Sequence, residues 1–249
     1  MNSIVFVKRV PDSATRIRIR PAGRDIDSAG VKYVLNPYDE FALEEAIARK
    51  EAAGSGHVTV ISLGSSEARE TLRTALAMGA DEAMLLECEG RADGLAVARV
   101  LAQEARGREF DLLLFGKQAI DDDSMQVPVM VAELLDLPCA TVVVKLELEG
   151  RTAIATREVE GGHEIVEFDL PGVISAQKGL NEPRYPSLKG IMAAKRKPLE
   201  IREMPAPEPC LTLVSLQEPP RKKAGEIIGE GPDAVPELVR KLREEAKVL

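Results

Sequence analysis

The sequence has no tryptophan, and aromatic residues make up only 3% of it. Any core must therefore be built from Leu, Val, Ile and Ala, which a 45% hydrophobic content over 249 residues can supply. That length suits one large domain, or a domain with an appendage. Cysteines are few, and the three present (Cys88, Cys139 and Cys210) are far apart and odd in number. No two have metal-ligand spacing, so the sequence gives no metal site, and the pattern fits a reducing compartment better than a disulfide scaffold. No apolar run approaches the roughly 20 residues of a membrane span. Positive charge is in deficit: a formal net charge of -8 leaves no overall field to attract nucleic acid. The Gly-rich dinucleotide fingerprint and the P-loop are both absent. Of the two histidines, His57 sits at a strand start and His163 beside a Gly-Gly turn. Neither has a Ser, Cys or carboxylate partner at a diagnostic spacing, so no catalysis by this chain alone is expected.

What is present is a long alternation of strands and helices. Ile4 to Val7 is a continuous apolar run, as in a strand buried on both faces, and with no leader segment ahead of it the expected location is cytoplasmic. Arg16 to Arg20 alternates strictly and reads as a half-exposed strand, turned by Pro21-Ala22-Gly23 to pair back over Arg24 to Asp27. Asn36-Pro37 reads as N-cap and first turn of a helix whose stripe is Ala42, Leu43, Ala46 and Ile47, ended by Gly54 or Gly56. Val58 to Leu63, Glu82 to Glu87, Asp111 to Phe115 and Cys139 to Val144 follow as strands. Between them come helices through Met78, from Asp93 to about Arg106, and from the Gly116–Asp123 loop to about Leu135. This alternation predicts an α/β fold: a Rossmann-like parallel sheet with helices on both faces, and ligands at the carboxyl ends of the strands.

From Leu146 the pattern changes. Leu146 to Leu148, Thr152 to Val159 and Ile165 to Leu170 read as antiparallel strands, with Gly161-Gly162 as the hairpin turn. Val173 to Ala176 returns to a buried strand. Eleven of the sixteen prolines lie from Pro171 onward. Pro205 to Pro209 and Pro219-Pro220 describe an extended arm. Asp233 to Lys247 closes the chain as a helix with Val235, Leu238, Val239 and Leu242 on one side. The expected division is an α/β domain over 1–198 and an arm with its helix over 199–249, the latter lying on a partner subunit.

Two stretches carry candidate chemistry. Gly116 to Asp123 follows a buried strand and opens onto a helix N-terminus, whose free N–H groups suit an anion. Asp121, Asp122 and Asp123 would repel a phosphate if aimed inward; they make sense capping the helix, bonding a ribose hydroxyl or facing solvent. As a Mg²⁺ site three adjacent carboxylates diverge too much. In Leu180 to Pro198, Pro183 and Pro186 disfavour helix before Ser187. Ser187 can then cap a short helix with Leu188, Ile191 and Met192 on one face, followed by the basic run Lys195-Arg196-Lys197. That segment reads either as a docking element or as a loop whose Leu188 packs back on its own domain.

Four stretches, VKRVPD (Val7 to Asp12), ETLRTALAMGAD (Glu70 to Asp81), GKQAIDDD (Gly116 to Asp123) and LNEPRYPSLKGIMAAKRKP (Leu180 to Pro198), resemble in order the signature of the electron-transfer flavoprotein β subunit. The resemblance implies an obligate heterodimer with an α subunit that holds most of one FAD, with Val10, Pro11, Asp12 and Ser13 of this chain near it. It implies electrons arriving from acyl-CoA dehydrogenases and related flavoenzymes and leaving to a membrane quinone oxidoreductase. It further implies a structural AMP. Its site would comprise Phe6 on the first strand, then Asn36, Pro37, Tyr38 and Asp39 at the helix start, and Leu63 after the next strand. The loop would add Gly116, Lys117, Gln118, Ala119, Ile120, Asp121, Asp122, Asp123, Ser124, Met125, Gln126 and Val127. Leu188, with Ile191 and Met192, is implied in dehydrogenase recognition. Glu158, with Arg157 beside it, is implied to meet the partner's mobile flavin domain. Phe6 and Leu63 are bulkier than the small residues of some members. Asp121, Ser124, Val127 and Ala132 also approach the D-x-x-T-x-x-V-x-x-x-x-A pattern of electron-bifurcating members, whose β subunit binds a second FAD, with Ser in place of Thr and Pro128 in place of Gly. The remaining alternatives are a nucleotide-hydrolysing enzyme or a stand-alone nucleotide sensor.

Overall fold

The computed structural model describes residues 1–220 and 225–249. In chain order the elements are β1 (Asn2–Phe6), β2 (Arg9–Pro11), β3 (Tyr33–Leu35), α1 (Pro37–Ala53), β4 (His57–Gly64), α2 (Ala68–Met78), β5 (Glu82–Glu87), α3 (Gly94–Arg106), β6 (Leu112–Gly116) and α4 (Val127–Leu135). They continue with β7 (Cys139–Glu149), β8 (Thr152–Val159), β9 (Gly162–Asp169), β10 (Gly172–Ala176), α5 (Leu188–Ala194) and β11 (Leu199–Glu203), and end with a 3-10 turn (Pro232–Ala234) and α6 (Val235–Glu244). The main sheet has the order β11-β5-β4-β1-β6-β10-β7-β8-β9. It is parallel as far as β7, and β8 and β9 add antiparallel at one edge.

Strand alternation sends successive side chains to two cores. Val5 and Val7 pack with Leu43, Ile47, Leu72 and Leu76 of α1 and α2. Ile4 and Phe6 pack with Ala98, Leu101 and Val131 of α3 and α4. Leu112, Leu113 and Leu114 of β6 are fully buried. At about 1.5–3 kcal/mol for each such side chain, this central strand is a firm platform for the loop that follows it.

Several expectations need correction. Arg16 to Asp27 does turn back on itself, with Ile19 bridged antiparallel to Ile26 and with Arg20 N donating to Asp25 O and Asp27 N to Arg18 O, each at 2.8 Å, but the pairing stops at that one bridge and no regular strand forms. Arg16, Arg18 and Arg20 are exposed, and Ile17 on the opposite side is exposed as well, so no face is buried to fix a register. Strands β2 and β3, three residues each, are too short to show a period. Residues Cys139–Glu149, read as two strands, are one, bent where Val142 takes φ 59 and the pairing register with β10 and β8 shifts. The β8–β9 turn is Glu160-Gly161, with Gly162 already paired to Val159; only Gly161 of the two has positive φ. The first residues of the expected arm, Leu199–Glu203, instead form the edge strand β11 beside β5. Its Glu200, Arg202 and Glu203 supply the charges that discourage further pairing at an edge.

Beyond β11 the arm runs over the chain's own loops. The backbone N–H groups of Cys210 and Leu211 donate to Asp93 Oδ2, and Leu216 N donates to Gly23 O at 2.6 Å. On α6, Val235, Leu238 and Val239 are exposed, so its apolar stripe is uncovered among the described residues.

Candidate functional site

In the sheet, β1 lies between β4, β5 and β11 on one side and β6, β10 and β7 on the other. The chain reverses direction across the sheet there, and a crevice opens at the carboxyl ends of β1 and β6, where doubly wound sheets hold ligands. The crevice contains a cavity of about 180 Å³ lined by Phe6, Val7, Lys8, Asp39, Ile61, Leu63, Phe115 and the loop after β6. The rings of Phe6 and Phe115 stack in its wall, with centroids 4.8 Å apart.

Asp39 ties the crevice together. Its Oδ1 accepts from Gly116 N at 3.1 Å and Asn36 Nδ2 at 2.9 Å, and its Oδ2 accepts from Lys8 N at 2.7 Å. One carboxylate thus fixes the ends of β1 and β6 to the first turn of α1. Asn36, expected as a side-chain cap, makes no cap hydrogen bond. It is fully buried and reaches across the site: Nδ2 donates to Gln118 O at 2.8 Å, and Oδ1 accepts from Ile120 N at 3.2 Å. Only Gly fits at 116. An added Cβ would lie 2.6 Å from Tyr38 C and 2.7 Å from Asp39 N, and would collide with Asp39 Oδ1.

Burial pushes the Asp39 carboxyl up to about 7 against the opposing pull of Asn36 and the two backbone N–H groups. The folded chain therefore keeps a proton on Asp39 at pH values where the unfolded chain has lost it. Stability from this group should fall as pH rises from about 4 to about 7 and level off above that, by a total on the order of 4 kcal/mol. Urea unfolding at pH 5 and pH 8 checks this, with Asp39→Asn as control. The parent should lose more stability between the two pH values than the variant, and equal losses would reject the assignment.

The three adjacent aspartates do not cap α4. Lys8 Nζ donates to Asp121 Oδ1 at 2.7 Å and to Asp122 Oδ2 at 3.0 Å. Burial disfavours the Lys8 charge, but the two carboxylates outweigh it and hold its pKa above the ordinary range. Burial likewise opposes the Asp122 charge, and the Ser124 N–H and Lys8 overcome it, so that pKa is lowered. Asp123 accepts from Gln118 Nε2 and has φ 49, and Met125 has φ 55. Two left-handed residues without a glycine mark a loop held in a sparsely populated conformation. Helix α4 starts at Val127, and Pro128 in its first turn removes one N–H that an anion would use. Lys117 places its ammonium 4.9 Å from the centre of the Tyr38 ring.

Of the residues singled out from the sequence for the nucleotide site, Phe6, Asp39, Leu63, Gly116, Lys117, Gln118, Ala119, Asp122, Ser124, Met125, Gln126 and Val127 line the cavity. Asn36, Tyr38, Ile120, Asp121 and Asp123 lie outside the lining but bond to or stack on the loop or Lys8, while Pro37 is exposed and outside it. The sequence reading missed Lys8, although it was visible at a strand's carboxyl end. It also missed Ala92, Gly94, Val97 and Leu101, which the packing of α3 on α4 brings in and which carry no local signal.

The other candidates lie elsewhere. Val10 is buried in the short β2–β3 ribbon, and Asp12 caps the turn after it by accepting from Ala14 N at 3.0 Å. Arg157 is engaged within the chain, donating to Thr141 O at 3.0 Å and pairing with Glu164 at 2.8 Å, while exposed Glu158 accepts from Gln177 Nε2 at 2.9 Å. Leu188 is 84% exposed and Met192 66%, so Leu188 does not pack back on its domain. Ser187 caps α5, its Oγ accepting from Gly190 N at 3.0 Å. Of the basic run, Lys195 and Arg196 face solvent, but Lys197 Nζ is spent on the carbonyls of Leu76 and Ala80 at the end of α2. His57 approaches Asp81 at 3.9 Å and Glu82 at 3.5 Å on the opposite end of the sheet. No helix among the described residues is long and apolar enough to cross a membrane.

Comparison with known proteins bears on this geometry. Residues 25–207 match the model of the electron transfer flavoprotein domain. The chain is similar to an electron transfer flavoprotein subunit beta of Bacillus subtilis, 45% identical over 260 residues with both chains covered in full. It is 42% identical to that of Bradyrhizobium diazoefficiens over 253 residues, again covering both in full. The subunit of Mus musculus is 41% identical over 256 residues, with all of this chain and 99% of that one covered.

Proposed function

The chain belongs to the electron transfer flavoprotein family as a β subunit, and on that premise we propose that it binds AMP structurally and serves as scaffold and partner-recognition surface for an electron carrier. In this reading it forms a heterodimer with an α subunit that holds most of one FAD, with Val10 to Ser13 near the flavin. The arm and the uncovered stripe of α6 lie on that subunit. Electrons come from acyl-CoA dehydrogenases and related flavoenzymes, through recognition at Leu188, Ile191 and Met192, and pass to a membrane quinone oxidoreductase. Glu158, exposed beside its hairpin and bonded to Gln177 through one oxygen, meets an arginine of the mobile flavin domain, whereas Arg157 is already committed within the chain. The three free thiols fit a cytoplasmic setting.

The observation that carries the AMP assignment is the cavity between β1 and β6. Its apolar wall of Phe6, Leu63 and Phe115 suits a purine, and Asp39 and Asp122 can accept from ribose hydroxyls. Lys8 and Lys117 are the cations lining it among the described residues. The cavity encloses about 180 Å³, and AMP asks for less room there than the second FAD of a bifurcating member would. Such a member is the second reading, kept because Asp121, Ser124, Val127 and Ala132 approach its pattern. The test is to purify the heterodimer, denature it and quantify released nucleotides by chromatography. One FAD and one AMP are expected per heterodimer. Two FAD without AMP would move the chain to the bifurcating class.

A further inference from the structure

Helix α5 has only seven residues, and Ala194 is the sole one among them that is buried. Its large apolar side chains point outward, so core packing contributes little to holding it. A helix of that length is unstable in water unless something else fixes it.

Its surroundings supply that fixing from both ends. Ahead of it, Asn181 Nδ2 donates to Phe41 O and to Glu45 Oε2, each at 3.0 Å. Arg184 forks onto Glu44, with Nε to Oε2 at 2.8 Å and Nη2 to Oε1 at 2.9 Å, and also reaches Glu51 at 2.8 Å. Both anchors bind the loop to α1. Behind the helix, Arg73 of α2 donates to Ala194 O at 2.5 Å and to Lys197 O at 3.0 Å. Lys197 returns the contact to the last carbonyls of α2. In the middle, Gly190 packs so closely on Ala77 O that any Cβ would collide with it.

We propose that Arg184 and Asn181 on one side, and Arg73 and Lys197 on the other, are positioning residues that hold α5 pre-ordered, so that Leu188 is presented to an electron-donating flavin dehydrogenase without an ordering cost at each encounter. The proposal rests on the recognition role given to α5 above. None of the four anchors needs to touch the partner. Each acts through the helix, and a surface ordered in advance binds more tightly for the same contacts. The guanidinium geometry is part of the device at 184, because a lysine there cannot place two nitrogens in one plane on the Glu44 carboxylate.

The experiment uses the heterodimer with its flavin bound, in three variants: Arg184→Met, Arg73→Met and Leu188→Ala. Amide hydrogen exchange over residues 188–194 reads the order of the helix. Steady-state reduction by a flavin dehydrogenase reads recognition. In the two arginine variants exchange over 188–194 should quicken at least about tenfold. KM for the dehydrogenase-donor pair should rise about 5- to 10-fold while kcat stays within about twofold, the split expected when only ordering is lost. Unchanged exchange would overturn the positioning role whatever the kinetics. Faster exchange with unchanged KM, while Leu188→Ala raises KM, would show that the order of α5 is not used in recognition, and would also overturn it. If Leu188→Ala leaves KM unchanged, the recognition reading itself fails, and the role proposed for the anchors in recognition falls with it. A rise in KM matched by an equal fall in bound flavin would mark general damage and count against the proposal.

Discussion

Asp39→Ala is expected to destabilise the folded chain by about 3 kcal/mol and to empty the proposed nucleotide site. The substitution removes the acceptor for Gly116 N, which is buried, and for Lys8 N, which is partly buried. Each orphaned donor costs about 1–3 kcal/mol. Asn36 loses one acceptor but keeps Gln118 O. Part of the cost is offset because a buried carboxyl with raised proton affinity is itself expensive to keep ionised. Asp39→Asn should cost less, since one oxygen still serves Gly116 and Asn36 while the amide nitrogen faces the Lys8 N–H. Urea unfolding and nucleotide release from the heterodimer measure both effects. If both variants stay within about 0.5 kcal/mol of the parent, Asp39 is not the tie described.

Gly116→Ala carries the other large effect. A methyl group at this position meets main-chain atoms of Tyr38 and Asp39, which cannot rotate away as the end of a side chain could. Either the first turn of α1 or the end of β6 has to move. β6 lies in mid-sheet between β1 and β10, so displacement of the α1 turn is the cheaper response. It would break the Gly116–Asp39 bond and open the crevice. Overpacking of this kind costs about 3 kcal/mol. For a chain of this size that lowers the melting temperature by ~6–12 °C. If the crevice holds AMP as proposed, AMP content should fall at least about tenfold while FAD, proposed to lie mainly on the α subunit, is retained. Normal AMP content together with an unshifted melting temperature would contradict the geometry.

Much of this was legible beforehand, and the misses have physical causes. The parallel sheet could be read because β1, β4, β5, β6 and β10 are buried on both faces and show as plain apolar runs. The loop after β6 could be read because a glycine, a buried strand and a following helix coincide. The role of Asn36 was misjudged because an Asn-Pro helix start looks the same whether the amide caps its own helix or, as here, reaches 82 and 84 residues along the chain to the Gly116 loop. The place of Lys197 was not legible, because a run of three basic residues does not reveal that one of them closes a neighbouring helix. The anchoring by Arg184, which lies between Pro183 and Pro186, carries no local signal, since its partners Glu44 and Glu51 lie on a helix 140 and 133 residues away. The lining from α3 was invisible for the same reason: Gly94, Val97 and Leu101 are ordinary helix residues until α4 packs beside them.

The strand order has a consequence for how the chain is made. β1 pairs with β4, which follows soon after, but its other neighbour β6 begins at Leu112, and β6 waits in turn for β10 at Gly172. During synthesis the apolar edge of β1 therefore stays open while more than a hundred residues are translated. Closure of the sheet centre by such distant pairings is intrinsically slow, and it leaves the nascent chain open to association with other strands. The crevice between β1 and β6 cannot form before β6 has paired, since its two walls meet only at that closure. A nucleotide that binds there favours the completed sheet over every unfinished intermediate, and so draws newly made chains toward the finished fold by mass action.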